Sequence, residues 1–321
     1  MSDATKREPN CEVLVVGGGV IGLTTAVVLA ERGRRVRLWT RDPVERTTSA
    51  VAGALWWPYR IEPMESARAW ALRSLEVYEE LAERPEVTGV RMVEGVMGGT
   101  LPEELDAWTD GRLADARLAT AEEYPQGVGL WLRLPLIDMS THLPWLRQRL
   151  VAAGGAVEER EVKDLHEPEA PVVVNCAGLG ARDLVPDASV RPVRGQLVVV
   201  ENPGIRTWMV SDTAGGEPAY FFPQPGRLIL GGTAEEDAWS LDPDPAVAEA
   251  IVRRCAALRP EIGGASVLEH RVGLRPARDE VRLEGEQLTE GRLLVHNYGH
   301  GGAGITVAWG CAEQAAELAT A

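Results

Sequence analysis

The stretch Val13-Leu14-Val15-Val16-Gly17-Gly18-Gly19-Val20-Ile21-Gly22 decides the fold. Four apolar residues in a row, three of them valines, read as a strand buried on both faces, the pattern of a central strand in a parallel sheet. The glycines that follow match GxGxxG, and each has a task. Gly17 suits a tight turn, Gly19 the close approach of main chain to a pyrophosphate, and Gly22 the packing of the next helix on the strand. The spacing predicts a helix from Ile21 to Arg32, with Leu23, Ala26, Val27 and Ala30 on one face. Gly33 ends it, and Val36-Arg37-Leu38-Trp39 is a second strand. A complete strand–helix–strand unit around these glycines points to a dinucleotide site. That fingerprint asks for an acid at the end of the second strand, where it binds ribose hydroxyls. Here Thr40 and Arg41 occupy that place and the acid is delayed to Asp42. Either Asp42 takes the role in a shifted register, or Thr40 and Arg41 bind the adenosine side, Arg41 suiting a 2′-phosphate and hence NADP.

A second glycine-rich stretch lies near the C-terminus: His296-Asn297-Tyr298-Gly299-His300-Gly301-Gly302-Ala303-Gly304-Ile305-Thr306. It follows the strand-like Leu293-Leu294-Val295 and precedes an alanine-rich helical segment. Glycine at this density lets main-chain N–H groups approach a bound group with no Cβ in the way. A helix starting near Ile305 would aim its positive end at the same point.

Composition narrows the function classes. The chain has 321 residues, enough for roughly two domains. It is 45% hydrophobic and 25% charged, as in ordinary globular proteins. The net charge of −15 argues against nucleic acid and anionic membranes as partners. No apolar run reaches the length of a membrane span. The polar start MSDATKREPN has no signal-peptide core, and the chain ends LATA, so a cytoplasmic location is expected. Cys11, Cys176, Cys255 and Cys311 have no CxxC spacing, and no cluster of metal-ligating residues is evident, so no metal is expected.

Between the two glycine-rich stretches, Thr47-Thr48-Ser49-Ala50-Val51-Ala52-Gly53-Ala54-Leu55-Trp56-Trp57-Pro58-Tyr59 passes from hydroxyls through small residues to aromatics. Such a segment can lie against a planar ring with its N–H groups facing ring heteroatoms. Ser66 to Arg84 reads as an amphipathic helix, with Ala71, Leu75, Tyr78 and Ala82 at helical spacing. Val87 to Leu134 reads as short strands alternating with turns, Thr141 to Ala153 as a helix, and Val172 to Asn175 as a second buried strand. Arg191–Val200 and Ala219–Thr233 read as strands with a turn at Pro225-Gly226, and Pro245 to Leu258 as a helix. Val272–Pro276 and Val281–Leu283 lead into the C-terminal stretch.

These residues carry a family. The chain resembles the D-amino acid oxidases through GGGVIG at 17–22, TTSAVAGALWWPY at 47–59, VVNCAGLGA at 173–181 and RPVRGQ at 191–196. The likeness continues through AYFFP at 219–223, GLRP at 273–276 and HNYGHGGAGITVAWGCA at 296–312. Related flavin oxidases of the glutathione-reductase type, such as glycine and sarcosine oxidases, share the first motif but not the last. The resemblance implies an α/β protein: a Rossmann-like FAD-binding domain interleaved with a mainly antiparallel β substrate-binding domain. The expected division assigns 1–60, 135–185 and 265–321 to the FAD domain, and 61–134 and 186–264 to the substrate domain. It implies oxidation of D-amino acids by transfer of the α-hydrogen as hydride to flavin N5. The imino acid then hydrolyses to a 2-oxo acid and ammonia, and O2 reoxidises the flavin to give hydrogen peroxide.

Residue roles carry over in the same way. Arg275 matches the arginine that pairs with the substrate carboxylate, for which a planar guanidinium supplies two parallel N–H bonds. Tyr220 matches the tyrosine that joins it. Gly302 matches the residue whose carbonyl holds the amine, and Ala303 replaces an aromatic residue of some relatives. Arg282 matches an arginine near the flavin. The flavin is expected at Gly301, Gly302, Gly304, Ile305 and Thr306, with Ala54 and Leu55 near N5. The other cofactor-binding residues are expected to be Gly17, Gly19, Val20, Ile21, Gly22, Arg41, Asp42, Thr47, Thr48, Ser49, Gly53, Val162, Gly178 and Arg275. Leu55, Trp57, Tyr59 and Phe222 would line an apolar side-chain pocket.

The lid tyrosine of the vertebrate enzymes has no counterpart between Val210 and Ala219, so a reduced lid is expected. No general base is placed by the matched motifs, and His300 is expected to make a structural hydrogen bond. A D-aspartate oxidase is the nearest alternative. It would need a further cation, and Arg206 is the one cation expected nearby, with Asp212 and Glu217 opposing it. A flavin amine dehydrogenase with another electron acceptor is the second alternative. A D-amino acid and O2 are the expected small-molecule partners, and a homodimer is compatible with the sequence.

Overall fold

The structure, a computed structural model, describes residues 11–109, 111–113, 115–211, 218–288 and 291–321. The chain opens with β1 (Val13–Val16), α1 (Val20–Glu31) and β2 (Val36–Thr40), then the one-turn α2 (Thr48–Val51) and the long α3 (Met64–Leu81). Next come α4 (Pro85–Thr88), β3 (Val90–Gly98), α5 (Pro102–Thr109), β4 (Arg117–Leu118) and β5 (Gly129–Ile137). They are followed by α6 (Met139–Ala152), β6 (Ala156–Glu159), β7 (Val172–Asn175), α7 (Ala181–Leu184) and β8 (Arg191–Glu201). The remainder is β9 (Trp208–Ser211), β10 (Ala219–Gln224), β11 (Arg227–Gly231), β12 (Glu235–Glu236), α8 (Pro245–Leu258), β13 (Val267–Gln287), β14 (Leu293–His300) and α9 (Gly304–Leu318).

The described strands form one sheet, in the order β4-β5-β3-β9-β10-β11-β8-β13-β14-β7-β1-β2-β6, with β12 beside β8. From β14 to β6 every neighbour is parallel, as the apolar runs of β1 and β7 require. From β13 to β10 every neighbour is antiparallel. The 21-residue β13 joins the two regimes: Val267 to Ala277 pair with β8, Arg282 to Gln287 pair with β14, and the register breaks between. The sequence reading split this strand in two; its glycine, proline and charged residues conceal that it is continuous. The expected domain division at 264/265 falls just before this shared strand.

Two other readings are corrected. Helix α1 has no single apolar face. Ten of its twelve residues are buried, Thr24 and Thr25 included, because β-strands, α6 and α9 surround it. The segment 87–134 contains the helix α5, whose acidic first turn and few buried residues, Leu105 and Thr109 among those described, hide its period.

Helix α9 is enclosed as well, with ten of its fifteen residues buried. It packs between α1 and α3. The Ser74 hydroxyl accepts hydrogen bonds from the Trp309 and Gly310 N–H groups, both at 3.1 Å. The buried Tyr78 hydroxyl donates to the Ile305 carbonyl at 2.9 Å. The helices touch backbone to backbone, because a Cβ on Gly310 would fall on Trp70 main-chain atoms. Among the described residues, no helix is long and apolar enough to cross a membrane.

Gly310→Ala separates local propensity from packing. Alanine is favoured over glycine in a helix by about 1 kcal/mol. Overpacking against a fixed backbone costs roughly 1–3 kcal/mol or more. A lowered melting temperature by calorimetry is therefore expected; a raised one would refute the contact.

Candidate active site

One cavity of about 1500 Å³ runs along the carboxyl ends of the parallel strands. Val16, Thr40, Cys176 and His300, at or just past the ends of β1, β2, β7 and β14, all line it. Open α/β sheets place ligands there. Two helix N-termini open onto it, α1 at Val20 and α9 at Gly304. Each presents N–H groups that its own helix cannot satisfy, and a positive dipole end.

The glycine loop has the expected form. Gly17 has φ +118°, a conformation L side chains rarely adopt, and a Cβ there would collide with the Cys176 carbonyl. A Cβ on Gly22 would strike the Gly17 carbonyl, so Gly22 serves packing and does not line the cavity. Gly19 leaves room for the Ser49 hydroxyl, which accepts from the Val20 N–H at 2.9 Å. Ser49 thus occupies the start of α1. Arg41 and Asp42 line the cavity as an ion pair at 3.0 Å. Thr40 donates its hydroxyl to the Asp42 carbonyl at 2.7 Å. Thr47, Thr48, Val162 and Gly178 complete this end.

At the other end the segment 53–59 is pinned on both sides. The Ala54 carbonyl accepts from the Ile137 N–H at 3.0 Å, and the Trp56 N–H donates to the Pro135 carbonyl at 2.9 Å. Ala54 has φ +61°, a strained conformation for a residue with a Cβ. The Thr306 hydroxyl accepts from the Trp57 N–H at 3.2 Å and donates to the Trp57 carbonyl at 2.7 Å. Thr306 was expected at the cofactor. It is buried outside the cavity wall, and its hydroxyl fastens this segment to α9.

Arg275 stands half-buried in the wall, donating from Nη1 to the Thr233 carbonyl at 3.0 Å. Among the described residues no carboxylate pairs with it. Tyr220 lies beside it: burial raises the phenol pKa, while Coulombic attraction and a hydrogen bond from Arg275 pull it down. Tyr220 and Phe222 stack at 4.7 Å and 17°. A Cβ on Gly53 would come within 2.7 Å of the Phe222 ring, and one on Gly302 within 3.0 Å of Tyr59 and 3.4 Å of Arg275. Gly301, Gly302, Gly304, Ile305, Leu55, Trp57 and Tyr59 share this wall.

Several expectations need correcting. Arg282 is not in the cavity wall; it binds the Tyr298 hydroxyl at 3.0 Å and pairs with Glu284 and Glu286. Arg206 is exposed and also outside the wall, whereas Arg60 lines it, 3.8 Å from Glu236. The His300 Nε2 is buried without a protein partner. The residue caps through its main chain, its carbonyl accepting from the Ala303 N–H at 3.0 Å. Burial pushes the imidazole down to about 3, so it is neutral at ordinary pH. Burial likewise pushes the Cys176 thiol up to about 12. Asp212 and Glu217, with the expected lid between them, lie outside the described residues.

Residues missed from sequence share a signal. Gly195, Gly231 and Gly232 lie in or beside strands, where a glycine marks a close approach. A Cβ on Gly195 would strike the Arg275 guanidinium, and on Gly231 or Gly232 the Tyr220 ring. Arg160, stacked 3.8 Å above Trp39, carried no such signal. Among the described residues there is no group of side chains that could hold a metal ion.

FAD fits this cavity by three observations: the Cβ-free glycine loop at the start of α1, the second helix N-terminus at Gly304, and the length of cavity joining them. Residues 12–318 match the family model for FAD-dependent oxidoreductases. The chain belongs to that family. It is 74% identical to a D-amino-acid oxidase of Streptomyces coelicolor over 314 residues, covering 98% of each chain. It is 50% identical to a D-amino-acid oxidase of Rubrobacter xylanophilus, covering 96% of this chain and 95% of that one. Its fold is similar to the crystal structure of glycine oxidase from Bacillus cereus, with a TM-score of 0.79 at 20% identity over 97% and 95% of the two chains. FAD is therefore the cofactor, and the protein is an FAD-dependent oxidoreductase.

Gly17→Ala puts a methyl group onto the Cys176 carbonyl and strains the loop. Titration with FAD, followed by flavin fluorescence, is expected to show affinity at least tenfold weaker, about 1.4 kcal/mol. Wild-type affinity would contradict the role given to the loop.

Proposed function

We propose that the protein oxidises neutral, mainly apolar D-amino acids, with O2 as electron acceptor. The observation that carries this is Arg275: a guanidinium in the cavity wall, next to Tyr220, with no carboxylate partner among the described residues. Such a group fits a substrate carboxylate through two parallel hydrogen bonds. The high identity to proteins named D-amino-acid oxidase supports the same reading. In this reading the parallel half of the sheet holds the cofactor and the antiparallel half covers it, as the expected domain division has it.

When bound, FAD supplies a two-electron acceptor. The chain's own residues bind, orient and exclude water. Arg275 and the Tyr220 hydroxyl take the carboxylate, and the Gly302 carbonyl accepts from the amine. Three fixed points leave one α-hydrogen direction, which selects one enantiomer, and positioning carries much of the rate. The N-terminus of α9 favours negative charge near Gly304 and Ile305 without needing a side chain. Arg41 and Asp42 serve the adenosine end. Among the described wall residues, burial leaves the His300 imidazole too weak a base to take a proton near neutrality, Tyr220 keeps its proton, and Cys176 remains a thiol. The substrate must therefore arrive as the neutral amine.

Arg60 is the observation that favours D-aspartate as a second reading, since it adds a cation to the wall. Its pairing with Glu236 offsets that charge, which supports neutral substrates.

Three outcomes are expected. Arg275→Ala should keep the flavin spectrum and lose roughly 30-fold to several thousand-fold in kcat/KM, the equivalent of about 2–5 kcal/mol for a carboxylate left unpaired. Unaltered kcat/KM would exclude Arg275 from the site. In pH profiles, kcat/KM should rise with deprotonation of the substrate amine and show no histidine limb near neutrality. A rate-limiting limb near pH 6–7 would point to a base that this account lacks. Under air, D-alanine, D-valine and D-phenylalanine should outrun D-aspartate with one peroxide per turnover. Faster D-aspartate would shift the substrate class, and missing peroxide would shift the acceptor.

A further inference from the structure

A second cavity, of about 330 Å³, lies behind the side-chain end of the main one. Its wall is mostly apolar: Trp56, Trp57, Trp108 and Leu105, with Thr100 and the carboxylate-bearing Glu104. Among the described residues, Trp57 and Thr100 line both cavities. The main chain at Trp56 and Trp57 is tied down by hydrogen bonds. Trp57 is held at its N–H and carbonyl by the Thr306 hydroxyl. Trp56 is held by the Pro135 carbonyl at 2.9 Å, and its indole Nε1 donates to the Ala71 carbonyl at 3.2 Å. Trp57, on a hydrogen-bonded backbone, and Thr100 thus form the shared wall of the two spaces. The second space is large for a side-chain compartment, since an apolar cavity of about 150 Å³ already accepts a benzene ring.

We propose that Trp57 sets the upper size limit of the substrate side chain, and that the cavity beside it is an extension of the side-chain pocket which the indole blocks. With the indole removed, the two spaces join and take a bicyclic apolar side chain. This inference rests on the D-amino acid reading of the main cavity. The neighbours of Trp57 in the main cavity, Leu55, Tyr59 and Phe222, are apolar or aromatic, so the joined space offers an indole or naphthyl group continuous apolar contact. One missing methylene in a hydrophobic pocket changes discrimination by roughly tenfold or more. Removal of a whole ring system should change it by at least that.

The test compares kcat/KM for D-alanine and D-tryptophan in the wild-type holoenzyme, Trp57→Gly and Trp57→Phe. The D-tryptophan to D-alanine ratio is expected to rise at least tenfold in Trp57→Gly, with a smaller rise in Trp57→Phe. Both variants are judged only with a wild-type-like flavin spectrum. Should Trp57→Gly fail to fold, Trp57→Phe decides alone, with a rise of at least threefold expected. A ratio within twofold of wild type in folded, flavin-loaded variants that still oxidise D-alanine would overturn the partition. Wild-type protein that does not oxidise D-alanine would instead remove the functional reading, and the partition would fall with it.

Discussion

Gly22 has no room for a methyl group against the Gly17 carbonyl, and Gly17 has none against the Cys176 carbonyl. This Cβ-free stack of three main-chain segments brings the start of α1 down onto the carboxyl ends of β1 and β7. The long cavity follows from it, because the stack fixes where the N–H groups of α1 point. The same device recurs at the other helix. Gly310 lets α9 lie against the Trp70 backbone, and Tyr78 holds the Ile305 carbonyl, so the second N-terminus is set from behind. Close backbone contact, more than any side chain, aims two positive helix ends into one space.

The other half of the site has an opposite logic. Arg275, Tyr220 and Phe222 are large groups lying over strands, and Gly195, Gly231 and Gly232 are the hollows beneath the first two. The Thr233 carbonyl orients the guanidinium without neutralising it. A cation held in place by a neutral acceptor keeps its charge for a ligand. The segment 53–59 joins the two halves: β5 grips it on one side and Thr306 of α9 on the other.

Much of this was legible in the chain. GGGVIG between two apolar runs specifies a strand, a turn and a helix through glycine geometry alone, and the structure has all three. Every cofactor and pocket residue named from motifs lines the cavity except Gly22, Arg282 and Thr306. Gly22 does the packing expected of it, and the Thr306 hydroxyl acts on Trp57. The misses have physical causes. The period of α1 carried no facial information because the helix is buried all round. The continuity of β13 depends on partners far apart in sequence, which no local pattern encodes. Arg206 is the cation that the chain order suggests, whereas tertiary packing puts Arg60 in the wall. The hydrogen bond expected of His300 belongs to its carbonyl, not its ring.

The central claim is that one cavity holds the flavin and presents a D-amino acid to it through Arg275. The most direct measurement is the visible spectrum of the FAD-loaded protein without oxygen, before and after addition of D-alanine or L-alanine. The account predicts that D-alanine bleaches the oxidised flavin band and L-alanine leaves it intact. A band that persists with D-alanine, or bleaches equally with both enantiomers, would contradict it.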